Sequence, residues 1–258
     1  YFLSCCALIK NEGKYLREWL DHYISEGVEH FYIIDNGSTD DTVEILKSYN
    51  NITLFRDNRR YPHHQVAMYN DHLLPIIKES KWTMIVDGDE LMKGQNNKTI
   101  YSYLQTIPEP IFSIYVIWKM FIGKKDNVEK MSNIKSRFNY NYLLDTNIKL
   151  GYCNNEDFKY FMMFGKTVFK TENITRIRVH KQVVPGKMID KFRVKLNIFP
   201  DTISQNCYYV NELSLASADI VLNHYFIKTC KEYEHRVKKS EEKDSWYWCA
   251  AQNAVGWD

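Results

Sequence analysis

Asp87, Asp89 and Glu90 stand together around Gly88, directly after the apolar run from Trp82 to Val86. Two carboxylates one residue apart can share a hard divalent cation. The glycine between them lets the turn tighten and lets phosphate oxygens approach. Mn2+ and Mg2+ prefer oxygen ligands and often complete their shell with substrate phosphates. Asp and Gly are also ordinary turn residues, so the meaning of the tripeptide depends on where the chain carries it. An EF-hand calcium loop does not fit, because the Asp or Asn at the fifth position and the Gly at the sixth are missing.

Similar polar clusters occur twice upstream. Lys10-Asn11-Glu12 follows F-L-S-C-C-A-L-I, and Asp35-Asn36-Gly37 follows H-F-Y-I-I. The elements that must position them alternate. Residues 2–9 form an apolar run of strand length. Leu16, Trp19, Leu20, Tyr23 and Ile24 then fall at helical spacing, and Gly27 closes that helix. Residues 30–34 read as a second strand. Ser38 and Asp41 predict a capping-box start for a helix over 42–49. Residues 52–55 read as a third strand, and a basic, aromatic loop follows from Arg56 to His64. Residues 65–79 are helical in pattern, with Pro75 kinking or ending the helix. Residues 83–86 make a fourth strand. This alternation predicts a mostly parallel sheet with helices on its faces. Ligands of such sheets bind beyond the carboxyl ends of the strands, so the three polar clusters are expected on one edge.

The second half is less regular. A helix over 99–107 ends at Pro108, and a long strand covers 111–121. Residues 166–170 and 175–180 read as a strand pair turning at Glu172-Asn173. A last strand is expected over 221–225, before a charged helix over 231–239. The chain shows no repeat, no low-complexity block and no linker. One domain over 1–258 is expected: a nucleotide-binding half at 1–91, an acceptor-side half at 92–230 and a helical extension at 231–258.

A formal net charge of +2 over 258 residues gives no electrostatic case for nucleic acid as the partner. Aromatic residues make up 15%, enough for a core and for flat faces against sugar rings. The six cysteines have no CxxC and no zinc spacing. Free buried thiols are expected, with one or two disulfides left open. Cys5 and Cys6 are adjacent in a strand and point to opposite faces. No run reaches the roughly 18 apolar residues of a membrane span. The chain opens in a strand, which leaves room for a leader or anchor upstream.

The segments I-I-D-N-G-S-T-D-D-T and I-V-D-G-D-E-L resemble those of GT-A glycosyltransferases close to the family 2 type. The stretch C-C-A-L-I-K-N-E-G-K-Y-L-R-E-W-L, followed by G-V-E-H-F-Y-I-I-D-N-G-S, resembles glycosyltransferase family 92. N-H-Y-F-I-K-T-C-K-E-Y-E-H-R-V resembles the closing segment of that family. The resemblance is continuous over residues 3–91 and patchy over 160–240.

It implies an α/β, Rossmann-like GT-A fold and transfer of a sugar from a nucleotide-diphosphate donor, by family default a uridine-diphosphate sugar. The acceptor would be a hydroxyl of a glycan, glycoprotein or other glycoconjugate, and the transfer would be metal-dependent and inverting. By the same resemblance, Asp35 and Asn36 would contact the uracil or ribose. Glu12 would line that pocket, and Asn70 stands at the helix position that reaches the donor. Asp87 would meet the ribose or a metal-bound water. Asp87, Asp89 and His224 are the expected ligand set of Mn2+ (or Mg2+), with His180 the alternative to His224. Arg59, Arg60 or Lys166 would add positive charge. The acceptor base is expected in Asn155-Glu156-Asp157-Phe158, at Asp157 or Glu156, with Asp190 in reserve. Richness in Asn, Lys, Ile and Tyr favours a bacterial or viral setting over the Golgi lumen. A nucleotidyltransferase is disfavoured by the single glycine and the acid in Lys10-Asn11-Glu12-Gly13-Lys14. A degenerate glycan-binding module is the non-enzyme alternative.

Overall fold

The computed structural model describes residues 1–122, 165–182, 184–189, 194–195, 208–209 and 218–227. The chain divides into two compact units. The first comprises Tyr1–Val116, Gly165–Lys191 and Ala218–Leu222, and the second Ile117–Phe164, Phe192–Ser217 and Asn223–Asp258.

The first unit begins with the expected alternation. Strand β1 (Leu3–Ile9) leads into helix α1 (Gly13–Ser25), then β2 (His30–Asp35), α2 (Thr42–Lys47) and β3 (Ile52–Arg56). Helix α3 (Gln65–Met68) widens into a π turn over Tyr69–Leu73 and stops before Pro75, as the missing N–H of proline requires. A 3-10 turn (Ile77–Glu79) precedes β4 (Trp82–Ile85). Strand β5 (Glu90–Gly94), α4 (Ile100–Gln105) and β6 (Ile111–Ile122) follow. After the undescribed stretch come β7 (Gly165–Lys170), β8 (Lys187–Ile189), β9 (Val194–Lys195), β10 (Tyr208–Tyr209) and β11 (Ile220–Ile227).

The main sheet runs in the order β3-β2-β1-β4-β7-β6-β11-β5, with β8 beside β6. Strands β3, β2, β1 and β4 are parallel. Strand β7 is antiparallel to β4, with Met84 opposite Val168. In the second unit β9 pairs with β10.

Both faces of the parallel half are covered, as parallel sheets require. On one face Cys6, Tyr32, Ile34 and Ile85 pack against Met68, Tyr69 and Leu73 of the α3 segment. On the other, the Trp19 ring of α1 lies 5.8 Å from that of Phe31. Each fully buried Leu, Ile or Phe of these layers contributes about 1.5–3 kcal/mol over an exposed one. Cys5 and Cys6 are buried free thiols. Burial pushes the Cys6 thiol up to about 12.

Three expectations change. The helix over 42–49 ends at Lys47 and is not started by a Ser38–Asp41 box. Asp40 Oδ1 takes the Thr42 N–H at 3.1 Å instead, while Ser38 Oγ accepts from Asn11 N at 2.9 Å. Residues 175–180 form no strand; side chains satisfy their backbone, as described below. Ile24 is exposed rather than core. Glu90 to Gly94, for which no element was expected, is strand β5. The helix expected at 231–239 lies outside the described residues.

Candidate functional site at the carboxyl edge of the sheet

Parallel pairing brings the polar clusters to one edge. Ile9 is opposite Asp35, and Asp35 is opposite Arg56. Val86 N–H donates to the Cys6 carbonyl, so the chain leaves β4 on the same edge. The loops after β1 and β2 are laced together. Asn36 N–H donates to Ile9 O at 2.8 Å. Thr39 N–H donates to Asn11 Oδ1 at 2.8 Å, Glu12 N–H to Thr42 Oγ1 at 2.9 Å and Gly13 N–H to Asp40 Oδ2 at 3.1 Å. Asp40 is partly desolvated, which alone would raise its pKa. The hydrogen bonds from Thr42 and Gly13 outweigh this and hold the carboxyl below its ordinary value.

The expected donor contacts fall into two groups. Asp35, Glu12 and Asp87 lie in the converging loops. Asp35 is fully buried; its Oδ1 accepts from Ser38 N–H at 3.0 Å and its Oδ2 from Arg56 Nε at 3.3 Å. The Glu12 side chain reaches the β4 loop, where a Cβ on Gly88 would stand 3.2 Å from Glu12 Cγ. Asn36 and Asn70 have their amides engaged by backbone. Asn36 Nδ2 donates to Asp57 O at 2.6 Å and Arg59 O at 2.8 Å, which moors the loop after β3. Asn70 Nδ2 donates to Ile177 O at 2.9 Å, and its Oδ1 accepts Ile177 N–H at 2.9 Å. That two-way contact replaces a strand partner for residues 175–180. Thr167 Oγ1 does the same further along, donating to His180 O and accepting Gln182 N–H.

The Asp-Gly-Asp turn is held from three directions. Trp19 Nε1 donates to Asp87 O at 3.2 Å, and Asp87 N–H donates to Glu90 Oε2 at 2.8 Å. Lys166 Nζ, from β7, donates to Asp87 Oδ2 at 2.9 Å and lies 3.7 Å from Glu90 Oε2. Burial opposes the charge of Lys166, but the carboxylates of Asp87 and Glu90 outweigh it and keep the ammonium protonated well above its ordinary range. Asp89 is buried.

Carboxylates at Asp87 and Asp89 are the oxygen chemistry that Mn2+ or Mg2+ takes. Asp89 fits such an ion by type and place, whereas Asp87 Oδ2 already holds the Lys166 ammonium. Among the described residues no three His, Cys, Asp or Glu side chains are grouped to hold a metal. A cation at Asp89 would therefore draw most of its shell from donor oxygens and water, as Mg2+ commonly does.

His224 belongs to the second unit, buried there with its ring 4.4 Å from that of Trp118. His180 Nδ1 lies 3.3 Å from Gly165 O. Arg59 is committed to Asp57, with Nη2 at 2.6 Å from Oδ2, and to Asp71 at 2.6 Å. Arg60 is exposed. Glu156, Asp157 and Asp190 lie outside the described residues. The sequence reading missed Lys166 as a structural partner of the turn. The available signal was a lysine inside G-K-T-V-F-K, since a lysine in a buried strand requires a counter-ion.

The family model of glycosyltransferase family 92 matches residues 1–225. The chain belongs to glycosyltransferase family 92. A family 92 protein of rice (Oryza sativa subsp. japonica) is 26% identical over 105 residues, 40% of this chain and 18% of that protein. One from Ricinus communis is 29% identical over 92 residues, 35% of this chain and 16% of its own length. This family 92 chain thus spans less than a fifth of the plant relatives it matches. Glycosyltransferase GlyG of Streptococcus pneumoniae is 21% identical, with 94% of this chain and 91% of GlyG covered. Among solved structures, S. aureus TarS 1–349 aligns with a TM-score of 0.41 and 18% identity, over 66% of this chain and 47% of that one. The mostly parallel sheet flanked by helices, in a family 92 chain, is the α/β GT-A fold expected. No helix among the described residues is long and apolar enough to cross a membrane.

Proposed function

We propose that this chain transfers a sugar from a nucleoside-diphosphate donor, a uridine-diphosphate sugar, to a hydroxyl of a glycan or glycoconjugate. The observation that carries this reading is the convergence of acid-bearing loops at the carboxyl edge of a parallel sheet, in a member of a glycosyltransferase family. The donor lies across that edge, with its nucleoside toward Asp35, Arg56 and Glu12 and its diphosphate toward the Asp87-Gly88-Asp89 turn. Gly88 carries no side chain, which lets the phosphate oxygens approach the turn.

The acceptor oxygen attacks the anomeric carbon as the bond from that carbon to the diphosphate oxygen breaks. The hydroxyl proton passes to a carboxylate base; Asp157, with Glu156 beside it, is the candidate. One displacement of this kind inverts the anomeric configuration. A divalent cation held by Asp89, Mn2+ or Mg2+, would supply positive charge where the leaving diphosphate gains negative charge.

Calorimetric titration of uridine diphosphate, with and without Mn2+, tests the reading. The expected result is binding that requires Mn2+ and is lost in Asp89→Ala. A chain that binds no nucleotide under either condition sinks it. With turnover in hand, the anomeric proton coupling of the product decides between inversion and retention.

A further inference from the structure

A cleft of about 440 Å3 opens at the amino edge of the sheet, at the opposite ends of the strands from Asp35 and Asp87. That is the volume of a small-molecule site. Its lining comes from Lys78 to Lys81 before β4, from Lys170 to Glu172 at the end of β7, and from Glu109 before β6. Lys170 is 3% exposed, and its ammonium lies 5.5 Å from the centre of the Trp82 ring and 4.9 Å from that of Phe112. Ring faces attract a cation, but a buried ammonium also needs oxygen acceptors. Glu109 supplies them: its carbonyl and its Oε2 each accept from Lys170 Nζ at 3.0 Å. Oε1 of the same carboxylate accepts from Lys81 Nζ at 3.4 Å. One carboxylate thus bridges two ammoniums, and it belongs to a side chain 80% exposed in the turn Pro108-Glu109-Pro110. An ion pair with so exposed a member contributes little, so a second carboxylate can take its place.

The rest of the lining suits a ligand that carries hydroxyls beside its charge. Without the Glu109 carboxylate, Lys78, Lys81 and Lys170 stand against Glu79 and Glu172, and a single negative charge restores the balance. Ser80 Oγ is buried and makes no hydrogen bond of normal geometry among the described residues. The Tyr32 hydroxyl near it turns to Glu79 Oε2 at 3.3 Å. A buried hydroxyl in that state calls for a partner.

We infer that this cleft is a second ligand site, for a small hydroxylated carboxylate of the sugar-acid class: the ligand carboxylate replaces that of Glu109 between Lys81 and Lys170, and the ligand hydroxyls meet Ser80, Glu79 and Glu172. Glu109 is the internal occupant that the ligand displaces. The site holds its ligand away from the donor edge, and the inference does not depend on the transferase reading.

The test titrates D-glucuronate into the full chain and follows the backbone amides of residues 78–81 and 170–172 by nitrogen–proton correlation NMR. D-Glucose and inorganic phosphate are the comparison probes. The variants are Glu109→Gln, Lys81→Met and Lys170→Met, each checked for folding by its thermal melt. Glucuronate is expected to give saturable shifts at these amides, with glucose and phosphate at least about tenfold weaker. Glu109→Gln is expected to tighten glucuronate binding about threefold, because it removes the competing carboxylate. Lys81→Met should weaken it about fivefold and Lys170→Met more than about tenfold.

Binding unchanged or weakened in Glu109→Gln overturns the inference. So does glucose or phosphate binding as tight as glucuronate, or a shift that persists undiminished in Lys170→Met. If Lys170→Met does not fold, Glu109→Gln and Lys81→Met decide. Absence of saturable shifts at these amides also overturns it, and leaves the transferase reading standing, since the donor site lies at the other edge.

Discussion

Two aspartates end parallel strands on the same edge of the sheet, and their cation partners are arranged in opposite senses. At the end of β2 the Asp35 carboxylate is 0% exposed and its partner Arg56 is 61% exposed. After β4 the Asp87 carboxylate is 33% exposed and its partner Lys166 is 0% exposed. In each pair the outer member is what a ligand meets. The β2 side therefore offers a guanidinium, planar and weakly hydrated, suited to lying against a base or an anion. The β4 side offers a carboxylate whose own charge is matched from behind. An ammonium is strongly hydrated, so burying Lys166 is costly unless several acceptors replace its water. Asp87, Glu90 and the Val179 carbonyl do so.

The comparison predicts unequal consequences for the two pairs. Lys166→Met should produce the largest effect, about 3–5 kcal/mol of lost stability in chemical denaturation, because it strands buried carboxylate charge. A loss under 1 kcal/mol would mean water already reaches Lys166, and the contrast with Arg56 would dissolve.

Next in size is Gly37→Ala in the β2 loop. Gly37 has φ +75°, and a Cβ there would stand 2.8 Å from Asn58 Oδ1. The left-handed backbone costs an alanine about 1–2 kcal/mol. Gly88→Ala meets only the Glu12 side chain at 3.2 Å and should change stability by about 0.5 kcal/mol or less, while weakening nucleotide binding. Thermal melts and a nucleotide titration on both variants separate the two glycines.

The mooring of the β3 loop should titrate. Hydrogen bonds from Arg59, joined by His72, hold the Asp57 carboxyl well below the usual carboxylate range. A folded-state value below the unfolded one stabilises the protein above the unfolded value, about 4 for Asp, and that stability fades as pH falls through the folded value. Asp57→Asn should lower the melting temperature at pH 7, and the gap to the unaltered chain should narrow below about pH 4. A gap unchanged down to pH 3 would show that the charge of Asp57 contributes nothing.

A small stability effect is likewise expected for Arg56→Met. An exposed partner contributes about 0–1 kcal/mol, and Asp35 keeps its bond from Ser38 N–H. Nucleotide affinity should fall more than stability does. The opposite outcome would make Arg56 a structural partner like Lys166 and remove the asymmetry.

The first ninety residues were legible because each strand and helix there announces itself locally and is joined to the next by a short turn. The alternation of β1 through β4 needed only periodicity and glycine positions, and the edge location of Asp35 and Asp87 followed from it. Strand β5 was not legible. Its five residues become a strand by joining β11, which lies about 130 residues downstream. Residues 175–180 misled for the converse reason. Their pattern suits a strand, but Asn70 and Thr167 satisfy the backbone that a strand partner would have taken.

By itself, the sequence determined the α/β class, the edge on which the acids gather and the likeness to family 92, because these depend on local patterns and contiguous motifs. Only the tertiary structure decided which charges face outward. Asp35 and Asp87 look alike in the chain, each an aspartate at a strand end within two residues of a glycine. What separates them is a cation brought from elsewhere in the sheet: Arg56 across one ladder at β3, and Lys166 from β7, 79 residues along the chain from Asp87. Burial and pairing are properties of neighbours in space, and those neighbours are set by the sheet order.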